Sequence, residues 1–287
     1  MRYSEFDLEG DSQPQMMTRS FLETLTQRYA AYVDLFRNGA GALPQMMGLK
    51  LEHTHCVVAD AKRIMAGEAW RGDRCVMGEA CALLHDTGRY SQLKEFGTFQ
   101  DAKSIDHAQR AVEVIEAEGW LKELPEADRK TILMAVGLHN KREIPPSVDA
   151  EVAAYAHLVR DADKLDIFRV MESAVADGSL SANPEIAWDL RIKGAPSPDV
   201  VASVMAGHSV GYASVKTLSD FVLIQVGWLI GGLRYPTALR LAVERKVLAF
   251  REAFLKTLSD DPGGAMCCDA ARAYLHERLH STVETQS

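Results

Sequence analysis

The sequence predicts an all-α protein, and three observations carry that expectation. Strand-like alternation is scarce, while apolar residues recur at helical spacing along most of the chain. The runs are broken at residues that stop helices: Gly39 and Gly41, Gly72, Gly88 with Gly97, Pro125, Pro145-Pro146, Pro184 and Pro262-Gly263-Gly264. No internal repeat, low-complexity tract or linker divides the 287 residues, so a single helical domain over 1–287 is the simplest organisation.

Taken in order, the first helix is expected over 14–37, closing before Gly39. The second, 46–69, stops short of Gly72, and the third, 73–86, ends at Thr87-Gly88. Residues 87–103 (with RYSQLKEFGTFQD) are expected to form a long loop, rich in aromatic and polar side chains, of the kind that carries function. Helices 104–118 and 127–140 flank Pro125, and 149–176 follows Pro145-Pro146. Beyond Pro184 come 185–192, 199–208, 214–232 and 236–257, and 264–282 follows Pro262-Gly263-Gly264. The C-terminal extension, about 181–287, carries no interpretable motif. Its apolar helices are expected to pack on the core, close a cleft or form a homodimer face.

The formal net charge of −8 and the absence of a Lys/Arg run argue against a nucleic-acid polymer as partner. The five cysteines are odd in number and form no CxxC pair, which fits a reducing, cytoplasmic setting; the vicinal Cys267-Cys268 is read as incidental. MRYSEFDLEG lacks the layout of a signal peptide, and the longest apolar run, FVLIQVGWLIGGL, is too short to span a bilayer, so no membrane role is expected.

The stretch LEHTHCVVADAKRIM puts two histidines and a cysteine within four residues. On a helix at about 100° per residue, His53 shares a face with Val57, Ala61 and Ile64, whereas His55 aligns with Lys62 and faces solvent. The apparent cluster therefore dissolves and one inward histidine remains. Others join it. His85-Asp86 ends the buried run CVMGEACALL; His107 is aligned with Ala111 and Val114; His139 is in register with Ile132, Ala135 and Val136. Asp163 lies on the stripe of Val152, Ala156, Val159, Ile167 and Val170, in a largely apolar helix that also carries Asp161 and Asp166. Four histidines and two carboxylates on core-facing stripes need partners, and divalent metal ions are the economical partner for imidazole plus carboxylate.

These residues, in this order, resemble the HD superfamily of metal-dependent phosphohydrolases. The pattern H…HD…H…H…D is carried by His53, His85-Asp86, His107, His139 and Asp163, within EHTHCVVADA, ALLHDTGRY, FGTFQDAKSIDHA, GLHNKREIP and LVRDADKLDIFR. The likeness covers roughly 46–175. It implies an HD helical core, and a dinuclear centre in which Asp86 and a water bridge two ions. His53, His85 and Asp163 complete the first ion, His107 and His139 serve the second, and Asp161 is the less favoured ligand. The ions implied are two divalent metals among Fe, Mn, Zn, Ni and Mg, with nitrogen-rich ligation favouring Fe, Mn or Zn.

The implied activity is hydrolysis of a small phosphorylated substrate, a nucleotide or other phosphate ester, with Asp86, His107 and Lys164 as catalytic residues. Arg89, Lys141 and Lys164 are the expected phosphate-binding cations. The same ligand set also fits a mixed-valent diiron oxygenase similar to myo-inositol oxygenase, and a non-catalytic nucleotide or metal sensor. No GYP motif follows the core, which disfavours cyclic-di-GMP as substrate, and Thr87-Gly88 stands where alarmone hydrolases carry an acidic pair, which disfavours alarmones. Asp106 is read either as orienting a ligand or as pairing with Arg110. Tyr90, Phe96 and Phe99 either line a pocket or pack, and Asn140 is left open. His157, His208, His276 and His280 are read as structural or surface residues.

Overall fold

The computed structural model describes residues 17–182 and 190–284. Among them the chain is helical, with an isolated bridge between Arg191 and Thr217 in place of any strand. The helices run α1 (Arg19–Asp34), α2 (Gln45–Gly67), α3 (Asp73–Leu84), α4 (Gly88–Phe96), α5 (His107–Ala117), α6 (Glu126–Leu138) and α7 (Ala150–Ala176). There follow α8 (Ser179–Ala182), α9 (Pro198–Met205), α10 (Leu218–Gly227), α11 (Pro236–Glu244), α12 (Val247–Leu258) and α13 (Pro262–Glu284).

The centre of the fold is α2 laid against α7 and α3, with α6 closing the other side of α3 and α7. Small residues permit this approach. A Cβ on Gly78 of α3 would fall 2.5 Å from Met65 Sδ and 2.8 Å from Leu158 Cδ2, so three helices meet at a residue without a side chain. Caps fix the starts of the helices that matter below. Asp106 accepts from Ala108 N–H at the head of α5, and Asp149 from Glu151 N–H at the head of α7.

Four expected boundaries are corrected. Residues 87–103 are not one loop, because α4 fills most of the segment and a 3₁₀ turn covers Asp101–Lys103. Gly88 there starts a helix instead of breaking one. A Cβ on it would lie 2.3 Å from His107 O and 2.6 Å from Ala111 N, so the glycine lets α4 touch the backbone of α5. Gly97, at φ +70°, ends α4 in the left-handed conformation. The expected helix 236–257 splits into α11 and α12 at Lys246, whose φ of +56° no α-helix accommodates. The expected helix 214–232 begins only at Leu218, where Thr217 and Asp220 cap each other, and ends in a π-helical segment, Trp228–Gly232. Of the expected helix 185–192, residues 185–189 lie outside the described residues, and 190–192 are not helical.

The C-terminal helices are tied onto α2 and α7 by buried polar groups. Asp161 of α7 accepts the backbone N–H groups of Arg234 and Tyr235, just ahead of α11. Arg251 of α12, buried to 1% exposure, pairs with Glu172 and donates to Phe168 O at 2.8 Å and to Gln225 Oε1. Arg245 pairs with Asp60 of α2. Packing on the core, one of the three expected roles of this region, is what these contacts provide. No helix among the described residues is long and apolar enough to cross a membrane.

Candidate metal centre

His53 stands mid-way along α2, His85 and Asp86 at the end of α3, His107 at the start of α5, His139 at the end of α6, and Asp163 in α7. Five elements thus deliver six side chains to one place, and all but Asp163 are buried to 5% exposure or less. The imidazoles form a continuous arc with rings edge-on: centroids are 5.5 Å apart for His53–His85, 5.1 Å for His85–His139 and 4.9 Å for His107–His139.

The Nδ1 atoms define the protonation pattern. His53 Nδ1 meets Asp166 Oδ2 at 2.6 Å, His85 Nδ1 meets Ala82 O at 2.8 Å, His107 Nδ1 meets Asp101 Oδ2 at 2.6 Å, and His139 Nδ1 meets Val136 O at 2.7 Å. Carboxylates and carbonyls can only accept, so each Nδ1 carries a proton and each ring, when neutral, turns the lone pair of Nε2 inward. These lone pairs lack donors. His53 Nε2 and His85 Nε2 are buried without a hydrogen-bond partner, and the Nε2 atoms of His107 and His139 face each other at 3.0 Å. Two opposed lone pairs at that distance repel unless a cation lies between or beside them.

Asp86 divides the cluster into two donor sets. Its Oδ2 lies 3.6 Å from both His53 Nε2 and His85 Nε2; its Oδ1 lies 3.5 Å from His107 Nε2 and 3.8 Å from His139 Nε2. Asp163 joins at the edge of the first set, with Oδ1 3.1 Å from His53 Nε2. Donors about 2.1 Å from one ion, at tetrahedral or octahedral angles, lie roughly 3.0–3.5 Å from each other. The distances of 3.0–3.8 Å found within the two sets lie at or slightly beyond that spacing, and two compact groupings, His53–His85–Asp86 and Asp86–His107–His139, share the Asp86 carboxylate. The residues therefore fit divalent ions by chemistry, spacing and unmet lone pairs.

At three of the four histidines electrostatics favours the same neutral state. Burial holds His85 and His107 below the usual imidazole range, and pushes His139 down to about 3, with His107 and His85 adding to the effect. Burial and Lys50 also act against a proton on His53, but Asp163 and Asp166 outweigh them and raise it. Asp86 is held well below the usual carboxylate range: burial opposes this, and Lys50, His85, Arg89 and His107 overcome it.

A second layer of ion pairs fixes the ligands. Asp166 also accepts from Arg169 Nε at 2.6 Å. Asp101 takes Arg89 at 2.9 Å and Gln92 at 3.0 Å. Arg160 of α7 reaches the carbonyls of His139 and Lys141 and so closes the end of α6 around His139. Asp101, Asp166, Lys50 and Arg160 were not assigned from the sequence. Lys50 and Asp166 could have been found, since each lies three residues from a ligand on the same helix face and is too polar for a core position without a partner. Asp101 and Arg160 offered no periodic signal.

The remaining expected residues fall as follows. Arg89 lies in the site, with Nε 3.4 Å from Asp86 Oδ1, but its Nη1 is held by Gln92, Asp101 and Phe99 O. Lys141 pairs with Asp106. Asp106 does not pair with Arg110, which binds Glu95 and Glu113; it caps α5 and accepts from Asn140 at 2.7 Å, so it anchors the His107 turn. Lys164 turns back along α7 to donate to Arg160 O at 3.2 Å, its ammonium 5.9 Å from the Trp228 ring, and burial, with Arg160, pushes its pKa down to about 8. Asp161 faces α11 and not the centre. Tyr90 is buried packing, hydrogen-bonded to Tyr29. Phe99 lies between Lys50 and Arg89, 5.6 and 5.7 Å from their charges, and Phe96 is exposed. His55 is exposed, as the helical wheel requires, as are His208, His276 and His280, while His157 is half-buried. All five cysteines are free.

Compared with protein-family models, curated proteins and solved structures, the chain returned no match in any of the three.

Proposed function

We propose that the chain is a metal-dependent phosphohydrolase of the HD type, cleaving a small phosphate ester or nucleotide at a dinuclear centre held by His53, His85, Asp86, His107, His139 and Asp163. The observation that carries this reading is that Asp86 turns one oxygen to each of two histidine pairs, the first with both Nε2 atoms buried without a hydrogen-bond partner and the second with its Nε2 atoms turned on each other. When bound, two divalent ions supply an acidified water as nucleophile and neutralise phosphoryl oxygens.

Charge supports an anionic substrate. With all four imidazoles bound as neutral donors, Asp86 and Asp163 would bring two negative charges against the four positive charges of two divalent ions. Lys50 and Arg89 at Asp86 add to that surplus, and Lys164 follows Asp163 in the chain. A phosphate dianion balances it. Access supports the same edge: the Asp163 side chain is 21% exposed, against 3% for His53 and Asp86 and 0% for His85. Lys164, next to Asp163 in the chain, would hold a phosphoryl oxygen once its ammonium swings away from Arg160 O. Arg89 and Lys141 act by holding Asp101 and Asp106, and His107 acts as a donor fixed by Asp101. The acidic chain as a whole favours a small substrate over a polymer.

The test is to strip the purified protein with a chelator, restore it separately with Mn, Fe, Zn, Ni or Mg, and assay phosphate release from nucleotides and small esters. Release that is absent in Asp86→Ala supports the reading. No release with any metal, together with oxygen uptake by the iron-loaded protein, replaces it with the diiron-oxygenase reading. Metal or nucleotide binding without either reaction replaces it with a sensor.

A further inference from the structure

The bridging carboxylate has a resident cation that neither the ligand pattern nor its geometry requires. Lys50 lies on α2, one turn before His53, and its Nζ donates to Asp86 Oδ2 at 2.8 Å. This is the oxygen that faces His53 and His85 at 3.6 Å. Asp86 is the one hydrogen-bond acceptor of the Lys50 ammonium among the described residues. The other oxygen of Asp86 is treated differently. Arg89 Nε approaches Oδ1 only to 3.4 Å without a hydrogen bond, and its charge is spread over Gln92, Phe99 O and Asp101. An ion in the first donor set must therefore share Oδ2 with an ammonium, or displace it. The Lys50 side chain is 19% exposed, on a flexible four-carbon stem, with the Phe99 ring 5.6 Å away to receive the charge.

We propose that Lys50 is a built-in competitor of the first metal ion: its ammonium holds the bridging carboxylate and sets how tightly the centre takes up divalent cations. The inference rests on the reading that the two donor sets hold metal ions. A unit charge a few ångströms from a divalent ion at a mostly buried site opposes binding strongly, and among the described residues no carboxylate other than Asp86 pairs with Lys50. Removing the charge while keeping the stem therefore tightens binding, whereas Lys50→Arg, which keeps the charge, leaves it near wild type.

The experiment is Mn2+ titration of the chelator-stripped full chain, reading free Mn2+ by electron paramagnetic resonance, for wild type, Lys50→Met, Lys50→Arg and His85→Ala. Lys50→Met is expected to lower the apparent Kd about tenfold or more. A Kd unchanged or raised in Lys50→Met, while wild type binds and His85→Ala does not, overturns the competitor and leaves the metal centre standing. Wild type that takes up no ion overturns the metal reading and the competitor with it. If Lys50→Met destabilises the stripped protein, the rise in its melting temperature on adding Mn2+ is expected to exceed that of wild type. An equal or smaller rise also overturns the proposal.

Discussion

Asp166 gives the most direct measure of how far a residue outside the donor set controls it. Its Oδ2 accepts the Nδ1 proton of His53 at 2.6 Å, its Oδ1 takes Arg169 Nε at 2.6 Å, and it is 1% exposed. Asp166→Ala removes a charged hydrogen bond and leaves a buried imidazole N–H unmet, a cost of about 1.5–3 kcal/mol. Arg169 loses less, because it is 34% exposed and still has Glu52 at 2.8 Å, a surface pair worth about 0–1 kcal/mol. Thermal unfolding of the stripped variant should thus show a loss of about 1.5–4 kcal/mol. Without Asp166, His53 can also rotate or change tautomer, so affinity for the first ion should fall about 10–100-fold by calorimetric titration. Asp166→Asn, which can still accept from Nδ1, should fall between the two. An Asp166→Ala protein that binds metal within twofold of wild type would refute the argument that Nδ1 partners fix the donor geometry.

The other predictions follow the same contacts. His85→Ala and Asp86→Ala should each lose metal while staying folded, and His55→Ala should bind two ions like wild type; elemental analysis after dialysis separates these outcomes. Gly88→Ala drives a Cβ into His107 O and Ala111 N, backbone that cannot yield as a side chain would, so it should destabilise by ~3 kcal/mol and weaken the second set. Circular-dichroism melts and metal content measure the two effects. Asp161 is raised from 3.8 to about 6, burial outweighing Lys164 and the N–H groups of Tyr235 and Arg234. Its folded form holds a proton that the unfolded chain has released, so stability should fall as pH rises from about 4 to about 6, by on the order of 3 kcal/mol. Urea melts across that range should show the slope in wild type and its loss in Asp161→Asn.

Much of the helical frame was legible in the sequence. The boundaries of α2, α3, α6 and α7 lie within about two residues of those expected, because apolar periodicity and the Gly/Pro stops agree there. The signal failed where a glycine served packing and not termination. Gly88 read as a stop, yet its missing Cβ is what α5 requires, so α4 was mistaken for loop. It failed again at Lys246, where no glycine marks the left-handed turn between α11 and α12. Asp106 was offered Arg110 because they are four apart in sequence; its actual partner, Lys141, is supplied by the turn after α6.

By itself the sequence determined the helices that carry the cluster, the inward face of each, and hence which histidines and aspartates must be met by something other than water. That follows from local rules, since a polar group on a buried stripe is costly wherever the stripe docks. Only the tertiary structure decided which atoms meet. The assignment of Asp86 Oδ1 and Oδ2 to different histidine pairs, the Nδ1 acceptors that aim every Nε2 inward, and the placing of Lys50 on the bridge all join residues from separate helices. Those distances depend on how α2, α3, α5, α6 and α7 pack, and a displacement of an ångström, invisible to periodicity, separates a shared nucleus from six unrelated buried groups.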